Sequence, residues 1–150
     1  MRITLTILFL SVLVFSCKKE NTMQQNTNTS HSVTSTLTVD DTAVANISHN
    51  SFNNNGKYAI IAYGSGGNPE VQITFWDAQS PGSGQFLITS GTVSFGKCSF
   101  SFSNSSGTST ASTGVVNLSY SSGTTYLASF SNINVAGGAG SHKVAGSFTY

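Results

Sequence analysis

The chain has 150 residues, and only 7% of them are charged, with six basic side chains against five acidic ones. Ordinary soluble domains carry about 25% charged residues, so serine, threonine, asparagine and glycine supply most of the polarity here. This composition lacks the clustered lysines and arginines by which proteins bind nucleic acid. We therefore expect one domain of neutral, hydroxyl-rich surface and no nucleic-acid partner.

A cleavable export signal is predicted over residues 1–16. Arg2 is followed by an apolar run from Ile3 to Phe15, and then by Ser16 and Cys17. As a helix the run would be about 20 Å long, whereas the hydrocarbon core of a bilayer is about 30 Å thick. A basic start, a short apolar run and a small residue before the cut are typical of a signal peptide.

The end of this signal resembles the lipobox of bacterial lipoproteins, on Val14, Ser16 and Cys17. The resemblance implies that Cys17 becomes the first residue of the mature chain and carries thioether-linked diacylglycerol, with its amino group open to acylation. Cys98 would then be a buried small hydrophobe. The alternative is ordinary secretion, which leaves a Cys17–Cys98 disulfide possible.

Residues 17–32 are predicted to form a flexible, lipid-anchored tether. They are almost all polar or charged, with Met23 the only large apolar side chain, and such a segment cannot bury enough surface to offset the entropy of ordering. Lys18 rather than aspartate follows the cysteine, which favours the outer membrane. Whether the protein faces the periplasm or the cell surface stays open.

From Val33 onward the apolar residues recur with a period of two. Typical runs are Val71-Gln72-Ile73-Thr74-Phe75 and Cys98-Ser99-Phe100-Ser101-Phe102. Alternation of this kind indicates strands with one buried and one wet face. Turn signals separate the runs, so we predict an all-β domain over residues 33–150, an antiparallel β-sandwich or small barrel of about 7–9 short strands.

Three local features refine this prediction. Residues Tyr58 to Tyr63 are apolar on both parities, which indicates a central strand that is covered on both sides. The inward parity flips between Phe130 and Ile133, which predicts a bulge near Ser131-Asn132. Asp40-Asp41 interrupts two apolar runs and is predicted to form a turn.

No catalytic, cofactor-binding or metal-binding residue is predicted. His31, His49 and His142 are isolated in the sequence, whereas zinc sites usually combine Cys or His at short spacing. The nucleophile elbow Gly-x-Ser-x-Gly does not occur. A hydrolase would need two carboxylates from Asp40, Asp41, Glu70 and Asp77 to converge in the fold, and we expect no enzymatic activity.

Trp76 is the candidate binding residue. It follows Phe75 on the opposite parity, so it should face away from the core side of that strand. An exposed tryptophan beside polar neighbours can stack on a sugar ring. The alternative, which we favour from the sequence, is that Trp76 packs under a loop or against a second layer.

A modification site is suggested at Thr42. Asp41-Thr42-Ala43 resembles the three-residue O-glycosylation acceptor that some Gram-negative bacteria use on exported proteins. The resemblance implies a glycan on the hydroxyl of Thr42.

Four segments together resemble a group of small Gram-negative lipoproteins of unknown function: Cys17-Lys18-Lys19, Val71 to Trp76, Thr113 to Leu118, and Val144 to Tyr150. The resemblance implies a compact β domain closed by a terminal Gly-x-Phe-x-aromatic strand, and it carries over no binding residue. The expected function is a membrane-anchored, non-enzymatic role in cell-envelope binding or structure, with a glycan or envelope protein as partner. A surface glycan-binding lipoprotein is the second interpretation, and a hydrolase the third.

Overall fold

The computed structural model describes residues 34–122 and 125–150 of the chain. The predicted signal peptide and tether, with Cys17, lie outside this part. The described residues form eleven strands and a single 3₁₀ turn at Ser65–Gly67, with no α-helix among them. The all-β class predicted from the period-two pattern is confirmed.

The strands follow one another closely along the chain. They are β1 Thr36–Val39, β2 Thr42–Ala43, β3 Ser48–Asn54, β4 Lys57–Tyr63, β5 Glu70–Phe75, β6 Gly84–Ile88, β7 Lys97–Asn104, β8 Gly107–Thr110, β9 Val115–Ser122, β10 Thr125–Gly137 and β11 His142–Thr149. Asp40 and Asp41 join β1 to β2 with φ of 51° and 63°. Aspartate tolerates this left-handed conformation better than most residues, and the predicted turn is confirmed.

All eleven strands belong to one hydrogen-bonded sheet. Its order is β2-β1-β11-β10-β9-β6-β7-β5-β4-β3, and β8 pairs with both β10 and β7. Through β8, the five strands β6, β7, β8, β10 and β9 close into a small barrel. The barrel is mixed, because β6 and β7 run parallel while its other pairs are antiparallel.

Two wings extend from this barrel and pack against each other. One wing consists of β5, β4 and β3, and the other of β11, β1 and β2. The ring of His49 in β3 stacks on Phe148 in β11, with 6.5 Å between centroids. The ring centroid of Tyr58 in β4 lies 6.2 Å from that of Tyr150, the residue directly after β11. The fold thus joins a closed barrel to sandwich-like wings.

The residues that alternate inward along each strand form the core. In β7, Cys98, Phe100 and Phe102 are at most 1% exposed, while Ser99 and Ser101 between them lie half-buried on the opposite face. Burial of one such phenylalanine contributes about 1.5–3 kcal/mol. The same alternation in β5 places Phe75, its last residue, fully inside, and this placement orients the next residue of the chain, Trp76.

The predicted bulge in β10 is confirmed. The pairing of β10 with β11 shifts register between Phe130 and Ile133, and Asn132 takes a positive φ of 53°. Phe130 and Ile133 are both nearly fully buried. The one extra residue at the bulge lets both side chains face the core, although their spacing would otherwise point them to opposite faces.

The strand at Tyr58–Tyr63 differs from its predicted position. As β4 it is second from the sheet edge, beside the edge strand β3, and not central. Ile60 and Ala62 are fully buried on the core side. On the other side Ala59 is fully buried, but Ile61 is only half-buried. The strand is therefore covered more fully on the core side than on the other.

The described part of the chain contains more strands than the 7–9 expected from alternation. The strands without a sequence signal include β3, with sequence SHNSFNN, and β8, with sequence GTST. Both are polar along most of their length and are defined by their hydrogen-bonded neighbours. A pattern of apolar side chains cannot detect strands of this kind.

Candidate functional site

Trp76 follows directly after β5. Because Phe75 is fully buried, the alternation of the strand turns Trp76 outward, and 39% of its surface is exposed. The prediction that Trp76 faces away from the core is confirmed. It also packs against a loop, as the alternative interpretation expected, but that loop leaves it open to solvent.

The loop residue against Trp76 is Phe95. Its ring lies edge-on to the indole, with 5.5 Å between centroids and 71° between planes, a favourable aromatic geometry. Phe95 belongs to the connection between β6 and β7, which must cross from the end of one strand to the start of the other because the two strands run parallel. The N–H of Leu87 donates a hydrogen bond to the carbonyl of Gly96, and this bond holds the end of the connection in place. Phe95 is 83% exposed, an unusual state for a phenylalanine.

The two rings border a cleft of about 440 Å³, here called the aromatic cleft. This volume falls within the roughly 300–1,000 Å³ of small-molecule sites. The lining consists of Trp76, Asp77, Gln79–Phe86, Phe95 and Gly96. The aromatic rings therefore share the lining with residues 79–86, which supply amide, hydroxyl and backbone groups that can donate and accept hydrogen bonds.

Asp77 builds the turn that forms one wall of the cleft. Its Oδ1 accepts hydrogen bonds from the backbone N–H groups of Ala78 at 2.6 Å and Gln79 at 3.3 Å. Its own carbonyl accepts the N–H of Tyr58, which ties the turn to the start of β4. The carboxylate thus has a structural role, and its position beside Trp76 is determined by the backbone.

A row of four tyrosines adjoins the cleft at the same end of the domain. Ring centroids are 5.6 Å apart for Tyr120 and Tyr126, 5.7 Å for Tyr126 and Tyr150, and 6.2 Å for Tyr150 and Tyr58. Burial raises the pKa of Tyr150, and the nearby hydroxyl of Ser80 opposes part of this shift. Ser80 belongs to the cleft wall, so the tyrosine row and the cleft are neighbours.

The opposite end of the domain carries ion pairs. His142 Nδ1 lies 2.7 Å from Asp40 Oδ2, and Lys143 Nζ lies 2.8 Å from Asp41 Oδ2. Asp40 Oδ1 also accepts the backbone N–H of Lys143 at 2.9 Å. These contacts join the β1–β2 turn to the start of β11. His142, isolated in the sequence, therefore has a carboxylate partner in the fold.

The second ring nitrogen of His142 is also occupied. Nε2 lies 2.9 Å from the carbonyl oxygen of Ala139, which can only accept, so Nε2 must carry a proton. The hydrogen bond to Asp40, followed by that to Ala139, raises the pKa of His142. The hydrogen bond from His142, followed by that from Lys143, lowers the pKa of Asp40. Because both ring nitrogens face acceptors, this arrangement favours the imidazolium beside an ionised Asp40.

The remaining predicted residues lie apart from the cleft. Thr42 is exposed in the two-residue strand β2, and its glycosylation stays a prediction. Cys98 is fully buried, as expected for a small core hydrophobe, and burial raises the pKa of its thiol to about 12. Cys17 lies outside the described residues, so neither its lipidation nor its pairing with Cys98 is tested.

Two features are absent from the described residues 34–122 and 125–150. They contain no cluster of three or more His, Cys, Asp or Glu side chains that could hold a metal ion. No helix in that part of the chain is long and apolar enough to span a bilayer.

No protein-family model, curated protein or solved structure matches this chain. The resemblance to small Gram-negative lipoproteins implied a small β-rich domain, and the structure supports that part of it. Inference about function therefore depends on the geometry of the site.

Sequence reasoning identified Trp76 but missed Phe95 and the cleft wall. Val93 and Phe95 are the two large apolar residues in the connection from β6 to β7, residues 89–96, and two positions are too few to establish a strand period. The usable signal was the Pro81-Gly82-Ser83-Gly84 segment shortly after Trp76, which predicts a loop near the indole. The parallel pairing that brings Phe95 to the same place is visible only in the fold.

Proposed function

We propose that this chain is an exported, lipid-anchored, non-enzymatic protein whose β domain binds a neutral glycan in the aromatic cleft. The observation that carries the proposal is the pair Trp76 and Phe95, exposed together on a cleft that is also lined by polar side chains. Paired exposed aromatic rings are costly to keep in water, which favours a binding role for them.

The two-sided lining matches the chemistry of a sugar. A pyranose ring has C–H faces that pack on an aromatic ring, while its edges carry hydroxyls that donate and accept hydrogen bonds. Trp76 and Phe95 supply the apolar surface, and Gln79, Ser83 and Gln85 supply polar groups in the same lining. An aromatic anchor with a few fixed polar groups is the usual composition of a specific small-ligand site.

The charge of the cleft favours a neutral ligand. None of the described residues that line it is basic, whereas phosphate and sulfate are normally bound through lysine or arginine. Among those same residues the charged one is Asp77, whose Oδ1 already accepts two backbone N–H groups. An anionic sugar would be repelled here, and a neutral one would not.

The non-enzymatic part of the proposal is supported by the state of His142. Asp40 and His142 have the spacing of an acid–base pair, but Nε2 donates to Ala139 and so has no lone pair with which to take a proton. The ion pairs also lie at the opposite end of the domain from the aromatic cleft. We interpret them as structural contacts.

The membrane anchor is the second element of the proposal. It is supported by the apolar run from Ile3 to Phe15 and the lipobox-like Val14, Ser16 and Cys17. Two or three acyl chains on Cys17 would hold the protein firmly, since a single chain binds only reversibly. We place the protein at the outer membrane.

The test is glycan binding by the full chain, screened on an array of neutral and anionic oligosaccharides and quantified by calorimetry. We expect a neutral oligosaccharide to bind, and Trp76→Ala or Phe95→Ala to raise its dissociation constant about tenfold or more, a loss of about 1.4 kcal/mol. Trp76→Phe should retain part of the affinity, because a smaller aromatic surface remains.

Phe52→Ala is the matched control. Phe52 is also an exposed aromatic, at 36%, but it lies in the edge strand β3 away from the cleft. Its replacement should leave the affinity unchanged. Binding that survives Trp76→Ala, or that Phe52→Ala weakens equally, would place the site elsewhere.

A further inference from the structure

A row of polar side chains crosses the outer face of the sheet and begins at the aromatic cleft. Its members are cross-strand neighbours from adjacent strands: Gln85 in β6, Asn117 in β9, Ser129 in β10, Ser147 in β11 and Thr36 in β1. The register of the sheet pairs each of them with the next. Gln85 also lines the cleft, so this polar row starts within the proposed site.

The alternation of the strands turns the polar row away from the core. A buried residue adjoins each member in the chain: Phe86, Val116, Phe130, Phe148 and Leu37. Gln85 and Thr36 are exposed, and the other three members are half-buried. Within residues 34–122 and 125–150, none of the five side chains has a hydrogen-bond partner. Their amide and hydroxyl groups are therefore available to a ligand.

The spacing of the polar row suits a repeating ligand. Neighbouring strands lie about 4.7–4.9 Å apart, so the row from Gln85 to Thr36 covers roughly 19 Å. The residues of a linear polysaccharide with equatorial links repeat at nearly the same interval, because each ring lies extended along the chain. Each sugar residue can then meet one amide or hydroxyl side chain. A polysaccharide with axial links coils and loses this match.

The charge of this surface suits the same kind of ligand. Every member of the polar row is uncharged. The outward positions that flank it in β9, β10, β11 and β1 are uncharged too, namely Val115, Ser119, Leu127, Ala145, Thr149 and Thr38. An anionic polymer would find no basic partner along the row. A neutral one would find donors and acceptors of its own kind.

We infer that the ligand of the aromatic cleft is a neutral, linear polysaccharide with equatorial links, which extends from the cleft along the polar row. This inference rests on the proposed function, since it requires that the cleft holds a sugar. Trp76 and Phe95 hold one part of the polysaccharide, and the row bonds the residues that follow. The net contribution of each hydrogen bond is modest, so the affinity accumulates with the length of the ligand.

The test is the dependence of affinity on ligand length, measured by calorimetry with the full chain. Cello- and chito-oligosaccharides, from the disaccharide to the octasaccharide, supply equatorial links, and malto-oligosaccharides of the same lengths supply axial ones. In one equatorial series we expect the dissociation constant to fall about tenfold or more from disaccharide to hexasaccharide, because hydrogen bonds are added along the row. It should then level off, and the malto series should gain nothing beyond the disaccharide.

Substitutions within the row separate its contribution from that of the cleft. Asn117→Ala and Ser129→Ala should each raise the dissociation constant of the hexasaccharide about threefold or more, through the loss of a hydrogen bond, and leave that of the disaccharide unchanged. Trp76→Ala should weaken both ligands. The disaccharide thus serves as the internal control for correct folding of the row variants.

Asn134→Ala and Ser101→Ala are the matched controls. Asn134 in β10 and Ser101 in β7 also alternate with buried residues and so face outward, but they lie outside the polar row. Neither change should alter the affinity for either ligand. A loss of hexasaccharide affinity in the controls as large as in the row variants would overturn the inference.

The remaining outcomes separate this inference from the proposed function. Equal affinity for disaccharide and hexasaccharide, an equal gain with length in the malto series, or no binding of either equatorial series would overturn the inference. Sugar binding in the cleft would stand in each of these cases if another neutral sugar binds and Trp76→Ala abolishes its binding. Failure of every neutral sugar to bind would overturn the proposed function itself.

Discussion

His142 lies between two hydrogen-bond acceptors that come from different parts of the chain. Asp40 approaches from the turn after β1, and the carbonyl of Ala139 comes from the turn before β11. Both nitrogens of the ring must therefore donate, and the protonated form is the one that the fold stabilises. The contact joins one wing of the sheet to the end of β10, so its protonation bears on stability.

The raised pKa of His142 predicts a dependence of stability on pH. The stabilising contribution should be complete below the unfolded value of 6.5 and should be lost as the pH rises through the higher folded pKa. Asp40, whose pKa is lowered from 3.8, adds stability above that value that is lost in acid. We expect NMR titration to place the pKa of His142 above 6.5. The free energy of unfolding measured in urea should fall as the pH rises through that pKa.

Asp40→Asn and Asp41→Asn form a matched pair for this prediction. Asp40→Asn should return the pKa of His142 toward 6.5 and flatten the pH profile of stability near neutrality. Asp41→Asn removes only the contact to Lys143 and should leave the titration of His142 in place. A wild-type pKa at or below 6.5 would contradict the assigned hydrogen bonds.

At the scale of the element, the bulge in β10 depends on the backbone conformation of a single residue, Asn132. Its two halves present Phe130 and Ile133 to the same core because β10 has one extra residue, relative to β11, at Ser131-Asn132. Asn132 adopts a φ of 53°, which asparagine tolerates and β-branched residues do not. The bulge lets one long strand serve both the barrel and the wing formed by β11.

Replacement of Asn132 tests this conformational requirement. Asn132→Val should lower the free energy of unfolding by about 1–2 kcal/mol, since the left-handed conformation is costly for a branched side chain. Asn132→Gly should stay within about 1 kcal/mol of the wild type, because glycine adopts positive φ freely but loses more entropy on folding. The measurement is urea denaturation of both variants. A valine variant as stable as the glycine variant would argue against the bulge.

At the scale of the whole molecule, the role depends on whether Cys17 carries lipid. We expect Cys17→Ser to move the protein from the detergent phase to the aqueous phase in a phase-partition assay, because no acyl chain would remain. Cys98→Ala, which removes the other of the two cysteines, should stay in the detergent phase. If Cys17→Ser still partitions into detergent, the anchor lies elsewhere.

The alternation of side chains was enough to predict the all-β class, the inward faces and the bulge. Cys98, Phe100 and Phe102 are buried, as their spacing predicts, because a strand turns successive side chains to opposite faces wherever it lies. Trp76 faces outward for the same reason. These properties are local, so they can be read along the chain.

Pairing between distant strands was decided only by the tertiary structure. The polar strands β3 and β8 exist because neighbouring strands supply their hydrogen bonds, and the closure of the barrel through β8 results from that pairing. Phe95 meets Trp76, and Asp40 meets His142, only after the sheet has formed. Their sequence separations carry no pattern, since such contacts depend on register and sheet order and not on the preferences of single residues.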